Sequence, residues 1–427
     1  MEIHVVRTGE TLYSIALQSG LPMSRLIADN QLTDPAHLVV GQTLVLRYPQ
    51  QVHTVQPGET LSAIARQSGL SIRQLQRNNP ALEGGTTLYP GQTLVLTYED
   101  TPSLPIWVNG YAYPFIERSL LQRTLPFLTY LTPFTYGITE SGGLIEPDDS
   151  WLIAAAAAHG VAALMHLSTL TQEGGFSNEL AHLVLTDETV QNNLVENIVR
   201  QLEVKGYRGL DVDFEYVFPA DGPAYASFIR RLTDLLNPLG YPVITALAPK
   251  TYREQPGLLY EAHDYGAIGA AANEVLLMAY EWGYAYSEPM AVAPLPNVRA
   301  VVEYALTEIP REKIWLGIPN YGYDWPLPVE PGVTRATSIS NQRAVDLARL
   351  YRVEIQYDET AQAPWFRYQN EAGQEHEVWF EDARSIQAKL GLIREYGLKG
   401  AGYWNLMRPF PQNWVVLNAE FQIHDLL

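Results

Sequence analysis

Two stretches near the N-terminus share one succession of strand-like and helix-like hydrophobic patterns. In each, a short β-rich run leads through a glycine-containing turn into a stretch whose apolar residues recur with helical spacing. The apolar helix positions are Leu12, Ile15 and Ala16 in the first stretch and Leu61, Ile64 and Ala65 in the second. A second short helix and a closing strand follow, so the pattern predicts two β-α-α-β modules over residues 2–48 and 51–97.

A sequence duplication supports this division. A shift of 49 positions superimposes Gly-Glu-Thr-Leu at 9–12 on the same four residues at 58–61. A shift of 50 superimposes Gly-Gln-Thr-Leu-Val-Leu at 41–46 on 91–96, so the second module contains one extra residue before position 91. We expect that residue in a loop.

The rest of the chain alternates short apolar runs with amphipathic stretches. The runs predicted to be strands are 106–112, 128–136, 161–167, 209–215, 243–247, 275–280, 314–318 and 400–404. Eight strands with helical crossovers predict an α/β fold, a (β/α)8 barrel over residues 106–427 that follows a proline-containing linker at 98–105. An open doubly wound sheet is the alternative, but no glycine-rich phosphate loop follows any of these runs.

About 80 residues separate the seventh and eighth runs, which is more than one crossover needs. Within them, residues 353–357, 365–368 and 377–380 have strand-like patterns, and a helix is predicted over 383–396. We therefore expect a small α+β insertion at about 325–380 and expect it to form a wall of a cleft.

Charge and composition exclude several classes of partner. The formal net charge is −19: six basic and eight acidic residues give −2 over the first hundred positions, and 22 basic and 39 acidic residues give −17 after them. Such a surface repels nucleic acid and anionic membranes. Cysteine is absent, which excludes disulfides and thiolate metal sites, and we expect no cofactor or metal. No signal peptide or transmembrane segment is evident, and the oligomeric state stays open.

One predicted strand is acidic on a single face. Alternate residues of a strand share a face, and here these are Asp211, Asp213 and Glu215. The opposite face is apolar and consists of Leu210, Val212 and Phe214. Three ionised carboxylates on a buried face would be costly, so we expect at least one to be protonated at neutral pH. A protonated carboxylic acid at the carboxyl end of a barrel strand suits a general acid.

Two other interpretations of this strand are weaker. A solvated edge strand would have polar residues on its second face, which is apolar here. A metal site would need a nearby histidine or a second pair of carboxylates at ligand spacing, and neither is found in the segment.

The paired N-terminal blocks resemble the LysM module. The resemblance implies binding of glycans that contain N-acetylglucosamine, namely peptidoglycan or chitin, between the first turn and the loop after the second helix. The candidate binding residues are Gly9, Thr11, Leu12 and Asn30 in the first module and Gly58, Thr60, Leu61 and Asn79 in the second. The alternative is that these residues only form the turn and the helix caps.

The acidic strand resembles the Asp-x-x-Asp-x-Asp-x-Glu signature of glycoside hydrolase family 18, with Arg208 at the first acidic position. Met-Ala-Tyr-Glu at 278–281 is similar to the family's Met-x-Tyr-Asp sequence on the sixth strand, with Glu281 in place of aspartate. Trp404 matches the family's tryptophan at the end of the eighth strand. In the family the first acid supports the others electrostatically.

The family resemblance implies a role for each of these side chains. Glu215 would protonate the glycosidic oxygen, and the substrate's own acetamido oxygen would attack the anomeric carbon, with net retention of configuration. Asp213 would orient the acetamido N–H while sharing a proton with Asp211, and Tyr280 would donate to the acetamido oxygen. Trp404 would stack beneath the sugar ring.

Further substrate contacts are predicted from position alone. Aromatic residues just past strand ends are Tyr113, Phe134, Tyr321 and Trp325. Met278 belongs to the sixth-strand motif, and Asn320 and Glu281 are candidate partners for sugar hydroxyls. For His159 and His166, which flank or occupy an apolar run, packing is favoured over ligation.

Tandem modules ahead of such a barrel resemble the spore cortical-fragment-lytic N-acetylglucosaminidases. That resemblance implies a peptidoglycan hydrolase associated with the spore cortex or coat, or with the cell wall. A hydrolase of chitooligosaccharides and a non-catalytic glycan-binding coat protein are the alternatives.

Overall fold

The computed structural model describes residues 1–100, 102, 104–171, 175–330 and 332–426. Two residues of the predicted linker, Thr101 and Ser103, lie outside this description. The first module consists of Glu2–Val5, Leu12–Ser19, Met23–Asn30 and Thr43–Leu46. The second consists of Pro49–Thr54, Leu61–Ser68, Ile72–Asn78 and Thr93–Tyr98. In both modules the two strands pair antiparallel around two helices, which confirms the predicted β-α-α-β order.

A duplicated asparagine holds each module together. Asn30, at the end of the second helix, donates from Nδ2 to the carbonyl oxygens of Leu26 and Val45, and its Oδ1 accepts from the Val45 amide at 2.7 Å. Asn79 makes the same three bonds, with Leu75 and Val95. Each side chain therefore ties its helix to the closing strand.

Eight parallel strands form the barrel, as predicted, and we number them 1 to 8 along the chain. They are Leu104–Ala112, Tyr130–Pro133, Ala162–Ala163 with Met165–Ser168, Leu210–Asp213, Val243–Leu247, Glu274–Leu277, Ile314–Pro319 and Gly400–Trp404. Strand 3 is interrupted at Leu164: its first part pairs with strand 2 and its second part with strand 4, which closes the ring. The closed ring excludes the open doubly wound sheet.

Helices surround the strands and bury the main core against their outer faces. They are Arg118–Thr124, Ser150–Ala158, Asn178–Thr186, Glu188–Lys205, Gly222–Leu236, Tyr265–Ala271, Leu295–Glu308, Ala383–Tyr396 and Pro411–Glu420. A short hairpin of Gly137–Ile138 and Leu144–Ile145 follows strand 2, and Phe421–Ile423 pairs with strand 1. A smaller cluster of large side chains, including Tyr111, Leu276 and Trp315, fills the barrel interior. No helix within the described ranges has the length and apolarity to span a bilayer.

The insertion between strands 7 and 8 is an α+β lobe with a five-stranded antiparallel sheet. Its strands are Gly322–Pro326, Thr337–Ile339, Gln356–Asp358, Ala363–Gln369 and Glu375–Trp379, and its helix is Asn341–Tyr351. The first strand begins three residues before the predicted boundary at 325.

Both modules pack directly against the barrel and its insertion. The amide of Ile355 donates to Val40 of the first module at 2.9 Å, and a Cβ atom on Gly41 would overlap the Ile355 carbonyl oxygen. In the second module, a Cβ on Gly84 would overlap the carbonyl oxygen of Gln122. Glycine is therefore needed at both of these close approaches, one to the insertion and one to the barrel.

Charged contacts reinforce this packing. Arg77 is 4% exposed, donates to the carbonyl oxygen of Pro126 at 2.7 Å and pairs with Asp425 near the C-terminus. At the linker, Arg47 of the first module pairs with Asp100 at 2.6 Å. The modules are thus held against the barrel by specific contacts and not by the linker alone.

Candidate active site

A cleft of about 870 Å³ opens at the carboxyl ends of the barrel strands. Asp213 ends strand 4 and Glu215 follows it, Met278 and Tyr280 follow strand 6, and Trp404 ends strand 8. The carboxyl end of a barrel is where catalytic side chains of this architecture gather, because the loops there are free to vary while the strands stay fixed. Three of the four predicted catalytic residues therefore meet the predicted floor residue Trp404 in one cavity, whereas Asp211 is fully buried and does not line it.

Strand 4 orients its side chains as the alternation predicts. Leu210, Val212 and Phe214 are fully buried in the core between strands and helices. Asp211 and Asp213 lie on the other face, and Glu215 follows just past the end of the strand. Asp211 accepts a hydrogen bond from the hydroxyl of Tyr111 at 2.7 Å.

Burial raises the pKa of every acid on this face. The pKa of Asp211 rises to about 6, because burial outweighs the hydrogen bond from Tyr111. The pKa of Asp213 rises well above its ordinary value through burial and then through the charges of Glu215 and Asp211. The pKa of Glu215 rises to about 7, through burial first and the neighbouring Glu281 carboxylate second. Near neutral pH the strand therefore carries protons that a general acid can use.

Arg208 does not take part in this electrostatic arrangement. It precedes strand 4 at the opposite end of the barrel, where its side chain is exposed and its amide donates to the Ala163 carbonyl at 2.8 Å. The charges that act on these acids are those of Glu215 and Asp211, which raise the pKa of Asp213, and that of Glu281, which raises the pKa of Glu215. Because Arg208 stands at the position of the family's first acid, the protonation of Asp211 and Asp213 depends on their burial and on their immediate neighbours.

Tyr280 is placed to donate a hydrogen bond. Its side chain is 8% exposed and lines the cleft. Burial and the carboxylates of Asp213, Glu215, Glu281 and Asp211 raise its pKa well above the ordinary value. The hydroxyl therefore stays protonated over the working range of pH, as a hydrogen-bond donor to a substrate oxygen must.

Glu281 lies on a left-handed backbone with φ 63, which is uncommon for a residue other than glycine. The hydroxyl of Tyr321 donates to its Oε1, and that of Tyr323 donates to the same oxygen at 3.1 Å. Burial raises the pKa of this carboxyl group. Tyr321, predicted to contact substrate, thus uses its hydroxyl to hold Glu281 at the edge of the cleft.

Trp404 forms part of the cleft surface within a group of aromatic side chains. Its ring centroid lies 4.9 Å from that of Phe134, 5.8 Å from Tyr111 and 6.2 Å from Tyr113, each at a steep angle between ring planes. Edge-on packing of this kind fixes an aromatic ring and leaves ring surface for a ligand. Tyr113 and Phe134 also line the cleft, where they were predicted.

Two predicted contact residues lie elsewhere. Trp325 is fully buried in the first strand of the insertion, and its indole N–H donates to the Ser287 carbonyl at 2.9 Å. Asn320 is buried and donates from Nδ2 to the carbonyl oxygens of Asn405 and Arg408. The chain after strand 7 turns straight into the insertion sheet, so these side chains support loops around the cleft and do not line it.

Several residues of the cleft were not predicted as site residues. His166 places Nε2 at 3.6 Å from Asp213 Oδ2, and its Nδ1 lies 2.6 Å from Thr135 Oγ1. Burial lowers the pKa of this histidine to about 3, so it is neutral. The period-two rule, applied to strand 1, would have pointed Tyr111 inward. Other unpredicted lining residues are Tyr216, Tyr260 and Tyr284.

The eight candidate glycan contacts of the modules divide into two groups. The buried group comprises Leu12 and Leu61, which lie in the module cores, and Asn30 and Asn79. The side-chain amides of the two asparagines form the hydrogen bonds to the backbone described above. Gln412 of the barrel also donates to Asn30 Oδ1 at 3.0 Å. The exposed group comprises Gly9, Thr11, Gly58 and Thr60, of which the threonines cap the first helices. Only the exposed turns can meet a ligand directly.

No three His, Cys, Asp or Glu side chains form a metal-binding group in the part of the chain that the structure describes. The carboxylates of the cleft are instead surrounded by aromatic rings and tyrosine hydroxyls, a lining suited to a sugar.

Comparisons with known proteins agree with this geometry. The family model described as "Glycosyl hydrolases family 18" matches residues 157–408, and the model described as "LysM domain" matches residues 4–47 and 53–97. The cortical fragment-lytic enzyme of Bacillus subtilis (strain 168) is 43% identical over 429 residues, and that of Bacillus anthracis is 41% identical over 431, with 99% of each chain covered in both cases.

Solved structures give the same result. The spore cortex-lytic enzyme SleL of Bacillus megaterium QM B1551 superimposes with a TM-score of 0.85 at 39% identity, covering 100% of this chain and 99% of that one. A chitinase from Chromobacterium violaceum ATCC 12472 gives a TM-score of 0.68 at 26% identity, covering 73% of this chain and 97% of its own. These matches agree with the acidic strand, the closed barrel and the two modules. The chain therefore belongs to glycoside hydrolase family 18 and is a glycosidase with two N-terminal LysM domains.

Proposed function

We propose that the protein is a retaining N-acetylglucosaminidase that hydrolyses peptidoglycan, with spore cortex fragments as its substrate and the spore cortex or coat as its location. The observation that carries the proposal is a buried acid, Glu215, with a pKa raised to about 7, in one cleft with Asp213, Tyr280 and Trp404. Support for the substrate comes from the cortical fragment-lytic enzymes that match the chain over nearly its whole length.

In the first step, Glu215 gives its proton to the glycosidic oxygen and the bond from that oxygen to the anomeric carbon breaks. The acetamido oxygen of the same sugar attacks the anomeric carbon and forms an oxazolinium ion. Asp213 accepts a hydrogen bond from the acetamido N–H and stabilises the positive charge, while Tyr280 donates to the acetamido oxygen. Trp404 supports the ring from below.

In the second step, the Glu215 carboxylate takes a proton from water as that water attacks the anomeric carbon. The oxazolinium ring opens, the acetamido group is restored and the configuration is retained, because each of the two displacements inverts it. The two LysM modules bind the same polymer and raise the local concentration of glycan at the cleft.

Product analysis on purified spore cortex tests the proposal. We expect mass spectrometry to show fragments with N-acetylglucosamine at the reducing end, released with the β configuration. Reducing-end muramic acid would contradict the assigned bond, and faster hydrolysis of chitooligosaccharides than of cortex fragments would favour the chitinase-like alternative. The absence of any product would favour a non-catalytic glycan-binding coat protein.

The pH profile gives a second test. Glu215 must be protonated at the start of the reaction, so kcat/KM should fall as the pH rises through about 7. The charge of Glu281 helps to raise the pKa of Glu215, so Glu281→Gln should move this alkaline limb to lower pH. Glutamine still accepts the bonds from Tyr321 and Tyr323, so the cleft keeps its shape.

Glu359→Gln is the matched control for that variant. Glu359 is exposed on the insertion, and its replacement removes the same charge. Its profile should coincide with that of the unmodified protein. An alkaline limb that stays in place in Glu281→Gln, or that moves equally in both variants, would contradict the assigned coupling.

A further inference from the structure

A buried histidine links the ends of strands 4 and 5, and no step of the proposed mechanism uses it. His263 is fully buried in the segment between strand 5 and the helix Tyr265–Ala271. Its Nδ1 lies 2.9 Å from the amide nitrogen of Ala248, and its Nε2 lies 3.1 Å from the carbonyl oxygen of Phe214. Phe214 directly follows strand 4, and Ala248 directly follows strand 5. The imidazole therefore joins the two chains just past the point where the strands end.

The two hydrogen bonds determine where the ring carries its proton. A backbone amide can only donate, so Nδ1 accepts from Ala248 and has no hydrogen of its own. A carbonyl oxygen can only accept, so Nε2 carries the proton and donates it to Phe214. Burial lowers the pKa of His263 to about 4, and the ring is therefore uncharged at neutral pH. One tautomer of the neutral ring satisfies both backbone groups.

The ring takes the place of a direct hydrogen bond between the two strands. Strands 4 and 5 pair in parallel register as far as Val212 and Thr245. In a parallel ladder, a carbonyl oxygen accepts from the amide one residue past its opposite number. A continued ladder would therefore join the Phe214 carbonyl directly to the Ala248 amide. His263 stands between these two groups, so they are bonded through the ring and not to each other.

This contact fixes the backbone from which Glu215 projects. The carbonyl of Phe214 and the amide nitrogen of Glu215 belong to one peptide group, and that group is planar. A hydrogen bond that holds the carbonyl therefore also orients the start of residue 215. The Phe214 ring is held separately, because it is fully buried and stacks on Tyr225 with ring centroids 5.7 Å apart. Glu215 thus follows a residue whose side chain and carbonyl are both anchored.

The other end of the link is anchored as well. The hydroxyl of Tyr265, which begins the helix after His263, donates to the Ala248 carbonyl and accepts from the amide of Lys250 at 3.0 Å. Both backbone groups of Ala248 are therefore bound by side chains of one segment. The next residue, Pro249, has no amide hydrogen and lines the cleft. His263 thus connects strand 4 to a fixed point on strand 5.

We propose that His263 is a positioning residue for the general acid: through the Phe214 carbonyl, it sets the place from which Glu215 reaches the glycosidic oxygen. His263 does not contact the substrate, because it is fully buried and does not line the cleft. Without the ring, the Phe214 carbonyl and the Ala248 amide either stay unpaired or move together, and the backbone of Glu215 moves with them. A displacement of about 1 Å at a catalytic group can lower the rate by about 10²-fold.

Two substrates with different leaving groups test this inference, which rests on the proposed function. Cortex fragments release a sugar, whose oxygen needs a proton from Glu215. A dinitrophenyl glycoside of N-acetylglucosamine releases a weakly basic phenolate that needs none. His263→Leu should lower kcat/KM on cortex fragments by about 10²-fold, mainly through kcat, because the acid is misplaced. The same variant should keep nearly the full kcat/KM on the dinitrophenyl glycoside.

Two further variants separate positioning from a general loss of structure. A carboxamide has one acceptor and one donor, so His263→Gln can bond the same two backbone groups and should recover most of the lost kcat/KM. Thr245→Val is the matched control, because Thr245 is fully buried between the same strands and its hydroxyl donates to the Val212 carbonyl at 3.0 Å. This control should leave the ratio of the two activities unchanged. His263→Asn, whose carboxamide is too short to reach both groups, replaces the leucine variant if that one does not fold.

Four results would overturn the inference. They are an unchanged kcat/KM on cortex fragments in His263→Leu, an equal loss on both substrates, a glutamine variant as slow as the leucine variant, and a selective loss on cortex fragments in Thr245→Val. Nitrogen NMR of the unmodified protein with labelled histidine adds a check without any substitution. The signals of His263 should show the proton on Nε2, and a proton on Nδ1 would contradict the link. Failure of the proposed hydrolase function would appear separately, as no product from either substrate with the unmodified protein.

Discussion

Glu215→Gln is expected to lower kcat on cortex fragments by about 10²–10⁴-fold, the usual contribution of general acid–base catalysis. Glutamine has nearly the shape of glutamate, but it cannot release a proton to the glycosidic oxygen or take one from water. Both chemical steps assigned to Glu215 are therefore lost. The measurement is the initial rate of reducing-end release at a pH below about 7, where Glu215 is mainly protonated.

Substrate binding should survive this substitution, because the proposed floor and acetamido contacts come from Trp404, Asp213 and Tyr280. The dissociation constant of a cortex oligosaccharide should thus change little while the rate collapses. Glu359→Gln again serves as the control, with unchanged rate and affinity. Hydrolysis at an undiminished rate in Glu215→Gln would exclude Glu215 as the general acid and with it the proposed mechanism.

The sequence predicted those parts of the site that depend on local periodicity. Strand 4 shows this best, because alternation alone placed Asp211 and Asp213 on the face opposite Val212. The same rule places Tyr111 of strand 1 on the face that points into the barrel. A period-two pattern within one strand does not depend on distant residues, and it holds here as far as the strand extends.

Prediction was weakest where the chain leaves a strand. Tyr113 and Trp325 both follow barrel strands as aromatic residues, yet Tyr113 lines the cleft and Trp325 is buried in the insertion sheet. The difference lies in the pairing of residues 322–326 with the strand at 375–379, more than 45 positions away. Local pattern carries no information about such a partner, so position after a strand end does not show which way a side chain points.

The contacts between the modules and the barrel could not be predicted for the same reason. Arg77 has the sequence context of an ordinary arginine on a short helix, but it is buried against Pro126 and Asp425. Gly41 and Gly91 occupy equivalent repeat positions, yet only at Gly41 would a Cβ atom meet another part of the protein. Both glycines have a positive φ in the equivalent turns of the two modules. Only Gly41 is also needed for the close approach of another part of the protein, at Ile355.

The strongest expected effect on stability concerns the buried ion pair between Lys389 and Glu381. Lys389 and Glu381 each have side chains only 1% exposed, with Nζ and Oε2 2.8 Å apart. Lys389→Met leaves the Glu381 carboxylate buried without its cation. Breaking such a pair costs about 3–5 kcal/mol, so the free energy of unfolding, measured by urea denaturation, should fall by that amount.

A double variant separates the lost pairing from simple loss of packing. Lys389→Met with Glu381→Leu replaces both charges by apolar groups and should recover most of the lost stability, since well-packed apolar replacements of a buried pair are often neutral. Arg343→Met is the control, because Arg343 is exposed on a neighbouring helix, and its effect should stay within about 0.5 kcal/mol. A double variant as unstable as Lys389→Met would contradict the assigned cause.

The pH dependence of Lys389→Met should have a definite sign. Burial already raises the pKa of Glu381, and the charge of Lys389 opposes that rise. Without the lysine, the pKa of Glu381 in the folded state rises further above its value in the unfolded chain, about 4.3. Such a group costs stability as the pH rises through its folded pKa, so the penalty should be greatest at neutral pH and above and shrink as the pH falls toward 4.3. A penalty independent of pH would show that lost packing, and not an unpaired carboxylate, destabilises the variant.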